Sequence, residues 1–113
     1  MNQPAVEISD LLRIPFLAGL VPAELDALLH AGRRLAFERG EYVFRAGDPG
    51  KELCVLVDGE VGIELDVAGG PPRILATLGS GTVFGEVSFL LGNERTASAR
   101  ALRDTRILAF SRE

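Results

Sequence analysis

Near the carboxyl end, from Val83 to Ala101, the chain reads VFGEVSFLLGNERTASARA, and this stretch holds the groups best suited to gripping a small anionic ligand. The period-two alternation of the preceding residues is interrupted here, and a short helical turn fits Glu86 to Leu91. Gly85 lets the backbone approach a ligand closely, Glu86 sets a carboxylate at the mouth of the turn, and the first amides of the turn are left without intrahelical partners. Gly92 and Asn93 then reverse the chain and bring Arg95 back. One carboxylate, one guanidinium and several free amides therefore converge, which suits a ligand carrying both hydroxyls and a phosphate. The same residues also fit a turn that binds nothing and is closed by a Glu86 to Arg95 salt bridge.

Other chemistries are excluded by simple counts. Cys54 is the only cysteine and His30 the only histidine, so an internal disulfide, a thiolate metal cluster and a histidine pair for zinc or iron are all ruled out. Cys54 lies in the apolar run Leu53 to Val57 and is expected as a small buried hydrophobe. His30 is expected to cap or solvate the end of a helix. Against 12 Lys and Arg stand 16 Asp and Glu, a net charge of −4, which disfavours bulk nucleic-acid binding. Lys51 is the only lysine, and Arg95, Arg100, Arg103, Arg106 and Arg112 crowd the last twenty residues. Arginine forks onto phosphates and carboxylates in a way lysine cannot, so this bias fits one small anion.

The elements that must carry these groups change character along the chain. Ile8, Leu11 and Leu12, then Leu25, Leu28 and Leu29, fall three and four apart and predict two helices, with Pro22 in the first turn of the second. Gly32 is expected as that helix's left-handed C-terminal cap, and Val21 makes a poor N-cap. After Arg34 the period becomes two, beginning with Leu35 and Phe37 and continuing through Tyr42 to Arg45. Glycine turns then recur at short intervals, the pattern of a β-sandwich or barrel. Asp58-Gly59 is the strongest hairpin signal, predicting a type I′ turn that joins neighbouring antiparallel strands at Cys54 to Val57 and Val61 to Leu65. Thr105 to Phe110 is expected to complete the sheets.

With 113 residues, 47% hydrophobic and 25% charged, the chain suits one compact domain whose core needs neither disulfide nor structural metal. Its amino terminus lacks a basic region, carries Glu7 and Asp10, and has its longest apolar stretch broken by Gly19 and two prolines. No signal peptide and no membrane span are read there, so the expected localisation is cytoplasmic, without a membrane partner.

Taken together, Phe84-Gly85-Glu86, the short apolar turn and Arg95-Thr96-Ala97-Ser98 resemble the phosphate-binding cassette of cyclic nucleotide-binding domains, most closely those of the catabolite activator type. The resemblance extends over nearly the whole chain. It takes in IPFLAGL and its following helix, the Arg45-Ala46-Gly47-Asp48 corner, the Asp58-Gly59 turn and the final DTRILAFSR strand. It implies a mainly β fold, a double-stranded β-helix or jelly roll with short N-terminal helices. The expected organisation is a single domain over 1–113, helical to about residue 32, a β-roll over 33–111 and a cassette over 84–98.

By that resemblance Glu86 accepts a hydrogen bond from a ribose 2′-hydroxyl and Arg95 pairs with the cyclic phosphate. Backbone amides at Gly85, Ser88 and Thr96 complete the site, with Val87 and Ala97 in the same cassette, while Ile63, Leu75 and Ala76 wall the ribose and base. Thr96 sits where a hydroxyl can reach a guanine amino group, which leaves cAMP and cGMP both open, with a lean to cAMP. The implied function is a regulatory module that binds cAMP or cGMP and catalyses nothing, with no further cofactor and no metal. Family members continue into two further helices, the second a lid over the base, and this sequence ends where the first of them begins. The output domain and any homodimer contact of the parent protein are therefore expected elsewhere. The alternatives are a ligand-free interaction domain of the same fold, a haem or iron-sulfur sensor, which lacks its cysteines, and a cupin-type enzyme, which lacks its histidines.

Overall fold

The computed structural model describes residues 6–111. Residues 1–5 of the expected helical segment, and Arg112 of the arginine cluster, lie outside them. The chain opens with α1 (Ile8–Leu11), a 3-10 turn (Pro15–Leu17) and α2 (Pro22–Ala31), then builds β1 (Arg33–Phe37), β2 (Tyr42–Phe44), β3 (Glu52–Asp58), β4 (Glu60–Leu65), β5 (Arg73–Gly79) and β6 (Val83–Phe84). After α3 (Glu86–Leu91) come β7 (Ser98–Ala101) and β8 (Thr105–Ser111). Two four-stranded antiparallel sheets result, one ordered β1-β8-β3-β6 and the other β2-β7-β4-β5. This is the expected jelly roll.

The apolar runs are explained by burial on both faces of the first sheet. From β3, Cys54 and Leu56 point into the roll with Val61, Phe84, Ala99 and Ile107, whereas Val55 and Val57 point outward to the helices. There they meet Leu11, Ile14, Leu25, Leu29 and Leu108. A strand buried on both faces has no polar side, so its sequence runs without alternation. The two predicted helices thus cover the outer face of the first sheet.

Three local expectations are corrected. The first helix is a single turn, and Leu12 lies beyond it, 68% exposed, while Ile14 takes the core position. Gly32 does cap α2, but in an extended conformation (φ −90°, ψ 152°). A β-carbon there would stand 2.6 Å from Leu108, so glycine is needed for clearance over β8 and not for a left-handed cap. Val21 caps poorly by itself, and its amide is satisfied instead by the Glu24 carboxylate at 3.0 Å.

The third correction is topological. Asp58-Gly59 joins no hairpin, because β3 pairs with β8 and β6, whereas β4 pairs with β5 and β7 in the other sheet. Only Gly59 has positive φ, at 121°, and it turns the chain through a corner between sheets. A side chain at Gly59 would collide with Thr105 Oγ1 and the Asp104 carbonyl. The hairpin is β4 with β5, closed around Gly69-Gly70-Pro71-Pro72.

Two polar clusters tie the parts together. In the first, Asp10 of α1 accepts from both terminal nitrogens of Arg106 on β8 at 3.3 and 3.2 Å, from Arg13 at 3.1 Å and from the Glu7 amide at 2.9 Å. In the second, Tyr42 Oη donates to Glu64 at 3.0 Å, linking β2 to β4 beside Arg100 of β7.

Candidate functional site

Strand β6 delivers the chain to Gly85, whose φ of 77° turns it into α3. A β-carbon at Gly85 would stand 2.6 Å from Nη1 of Arg95, so the glycine makes room for that guanidinium. Helix α3 spans Glu86–Leu91, as expected, and ends on Gly92, which is also left-handed with φ 72°. The Asn93 amide then bonds back to the Ser88 carbonyl at 3.1 Å, and the chain returns.

The corner between β2 and β3 holds this return in place. The Arg95 amide donates to the Asp48 carbonyl at 2.7 Å and the Gly47 amide to the Arg95 carbonyl at 2.8 Å. The Ala46 amide donates to Ser98 Oγ at 2.9 Å, and the Gly50 amide to the Asn93 carbonyl at 3.1 Å. Residues 45–50 therefore fix the backbone of the arginine on both sides.

The Arg95 side chain is 6% exposed. Its Nη1 donates to the Gly85 carbonyl at 2.8 Å and its Nη2 to the Glu52 carbonyl at 2.6 Å, while the guanidinium carbon lies 4.1 Å above the Phe44 ring. No carboxylate among the described residues pairs with it, and its Nε is buried without a partner. The Glu86 to Arg95 salt bridge of an empty, self-closed turn does not form. A buried cation lacking a counter-charge is costly, and an anion that reaches it gains correspondingly.

Beside Arg95 opens a cavity of about 270 Å³. Of the residues singled out from sequence, Gly85, Glu86, Val87, Ser88, Arg95, Thr96, Ala97 and Ile63 line it. Glu86 is exposed at its edge, and its carboxylate makes no hydrogen bond or ion pair with the described residues. Ser88 is buried, its hydroxyl donating to the Glu94 carbonyl at 3.2 Å. Leu75 and Ala76 lie on the exposed strand β5 outside the cavity wall, although Ala76 is in register with Ile63. The wall also includes Phe84, which opens the cassette motif, and Phe44, Leu78 and Val83, which were not singled out. The period-two pattern of β2 could have found Phe44. The Glu52 carbonyl could not have been found, since every residue type carries one.

Elsewhere the expectations for the lone thiol and imidazole hold. Cys54 is buried, and burial pushes its thiol up to about 11, partly offset by the Arg95 charge nearby. His30 Nδ1 stands 2.8 Å from the Asp26 carbonyl in the last turn of α2. No group of three potential metal ligands occurs among the described residues, and none of their helices is long and apolar enough to cross a membrane.

A family model described as the cyclic nucleotide-binding domain matches residues 34–113. The cyclic AMP receptor protein of Thermus thermophilus is 41% identical over 99 residues, covering 88% of this chain and 46% of that protein. A crystal structure of the Thermus thermophilus catabolite activator protein superposes with a TM-score of 0.75 at 41% identity, over 87% of this chain and 46% of that one. A cAMP-binding acyltransferase from Mycobacterium smegmatis superposes with a TM-score of 0.81 at 30% identity, over 93% of this chain and 33% of that one. The chain thus spans about half the length of the receptor protein and a third of the acyltransferase.

Proposed function

Because the chain belongs to the cyclic nucleotide-binding domain family, of the catabolite activator type, we infer that it binds cAMP or cGMP at the cassette as a sensory module and catalyses nothing itself. The observation that carries this is Arg95, a buried guanidinium with no carboxylate partner and an unused Nε–H, at the wall of a cavity rimmed by the N-terminal turn of α3. A cyclic phosphate supplies the missing counter-charge. Glu86, unpaired at the edge, is an acceptor for the ribose 2′-hydroxyl, and the amides of Gly85, Ser88 and Thr96 complete the anion's contacts. Val87, Ala97 and Ile63 close the walls, while Leu75 and Ala76, exposed on β5, are not part of them.

The relatives include a receptor protein and an acyltransferase, so the output is assigned to whatever the parent protein joins to this module. Thr96 lines the cavity and offers one neutral hydrogen bond, worth about 0.5 to 1.5 kcal/mol, which does not by itself set tenfold selectivity between bases. A calorimetric titration with cAMP and separately with cGMP, repeated on Arg95→Ala, tests the assignment. Saturable heat with the native chain and none with the variant supports it.

One observation favours a second reading, a ligand-free interaction domain. Val87, Leu90 and Leu91 of α3 are 61%, 69% and 67% exposed, an apolar face beside the cavity. Silence with both nucleotides, in this chain and in its parent protein, supports that reading instead.

A further inference from the structure

A second cavity, of about 650 Å³, shares Phe44 and Arg95 with the first. Its origin lies in the topology. Strand β1 ends one edge of the first sheet and β2 one edge of the second, and residues 38–41 carry the chain from one to the other, so the two sheets part along this side. The inner wall is apolar: Leu35 and Phe37 from β1, Val43 and Phe44 from β2, Cys54 from β3. Its size falls within the range of small-molecule sites, roughly 300 to 1,000 Å³.

The charges at its mouth are unevenly satisfied. The Glu52 carboxylate is held by Arg33 Nε and Nη2 at 3.0 and 2.7 Å, and the Asp48 carboxylate accepts the Arg45 amide at 2.9 Å. Lys51, on the same rim, makes no hydrogen bond or ion pair with any described residue. Arg95 lines this cavity as well, nine-tenths buried and with Nε unpaired. Glu52 is thus paired with Arg33, Asp48 keeps its charge with one oxygen bonded to a backbone amide, and Lys51 is left as the unpartnered cation on the rim, above an apolar floor.

We propose that this cavity is a second ligand site, taking a small carboxylate with an apolar body, an acyl chain or an aryl ring, whose head group lies at Lys51 and whose body lies against Phe37, Val43 and Cys54. Arg95 and Phe44 are walls of both cavities, so occupancy of one site alters affinity at the other, and the effect is reciprocal. That coupling rests on the cyclic nucleotide assignment; the site itself does not.

The test is a titration of the native chain with octanoate, 3-phenylpropionate and, as the neutral control, octan-1-ol, followed by backbone amide shifts. The expected result is saturable binding of a carboxylate with shifts at Leu35, Val43 and Cys54, weakened about three- to tenfold in Lys51→Ala while octan-1-ol binding is unchanged. Octanoate and 3-phenylpropionate distinguish an acyl from an aryl body. The chain has no tryptophan, so Phe37→Trp provides a unique fluorophore in the cavity that reports occupancy independently. No saturation at millimolar concentrations overturns the proposal. So does equal binding of alcohol and acid with no effect of Lys51→Ala, or shifts confined to residues 85–97. Repeating the cAMP titration with octanoate present reads the coupling, and octanoate binding together with silence towards nucleotide in this chain and in its parent protein refutes the cassette assignment alone.

Discussion

The Nη2 of Arg95 donates to the Glu52 carbonyl at 2.6 Å, joining the cassette to the first residue of β3 across forty-three positions of sequence. The arginine, proposed above as the phosphate partner, is thus also a strut between α3 and the first sheet. Arg95→Ala is expected to abolish measurable nucleotide binding and also to cost about 2 kcal/mol of stability, since two carbonyls lose their donor and Phe44 loses its stacked cation. The fold persists, with a melting temperature several degrees lower by circular dichroism. A variant that melts as the native chain does would show that the strut contributes nothing.

Glu86 carries no such double duty. Glu86→Gln is expected to leave thermal stability unchanged and to weaken cAMP about tenfold, as a charge-assisted hydrogen bond becomes a neutral one. The decisive comparison is 2′-deoxy-cAMP, whose affinity is expected to be the same for native and variant chains. An equal loss for both nucleotides would place Glu86 away from the ribose.

Acid stability should be governed in part by Asp10. Burial raises the pKa of its carboxyl, but the Glu7 amide and the Arg106 guanidinium outweigh it and hold the group below its ordinary value of 3.8. A carboxylate whose folded pKa is depressed contributes stability that is fully present above its unfolded pKa and is lost as pH falls through the folded one. Denaturant midpoints are therefore expected to fall below about pH 4 for the native chain. In Asp10→Asn the midpoint is lower at neutral pH, and the acid limb is flatter. A parallel pair of pH curves would remove Asp10 from the account.

The corner between the sheets offers a stability test without any ligand. Gly59→Ala imposes a side chain at φ 121° and drives it into Thr105 and the Asp104 carbonyl, so a loss of more than about 2 kcal/mol is expected in urea unfolding. Gly69→Ala, in the open β4–β5 loop with nothing near its β-carbon, pays only for its positive φ and serves as the control.

Features encoded within a few residues were the legible ones. Gly85 and Gly92 bracket α3, and both lie in the left-handed region because the chain must turn sharply at each end of a six-residue helix. The burial of Cys54 and the single turn of apolar residues between the glycines were readable for the same reason. Pairing was not. Asp58-Gly59 announces a tight reversal, but a dipeptide carries no information about whether the following strand bonds to the preceding one or crosses to another sheet. The partners of Arg95 were hidden too, because they are backbone carbonyls: that of Glu52 owes nothing to its side chain, and that of Gly85 is reached only because the glycine has none.

Strand β8 lies between β1 and β3 in the first sheet, bonded to both, yet it is made after all the other described strands. During synthesis β1 and β3 must wait for Thr105–Ser111 before either acquires its shared neighbour, and the helices have no finished surface on which to pack. Nearly all of the first sheet's pairings span long sequence separations, the kind that slows folding to milliseconds or seconds. A nascent chain stalled short of residue 105 would expose both faces of β3, Leu56 and Val57 alike, so the apolar strand that anchors the finished roll is also its period of greatest vulnerability to aggregation.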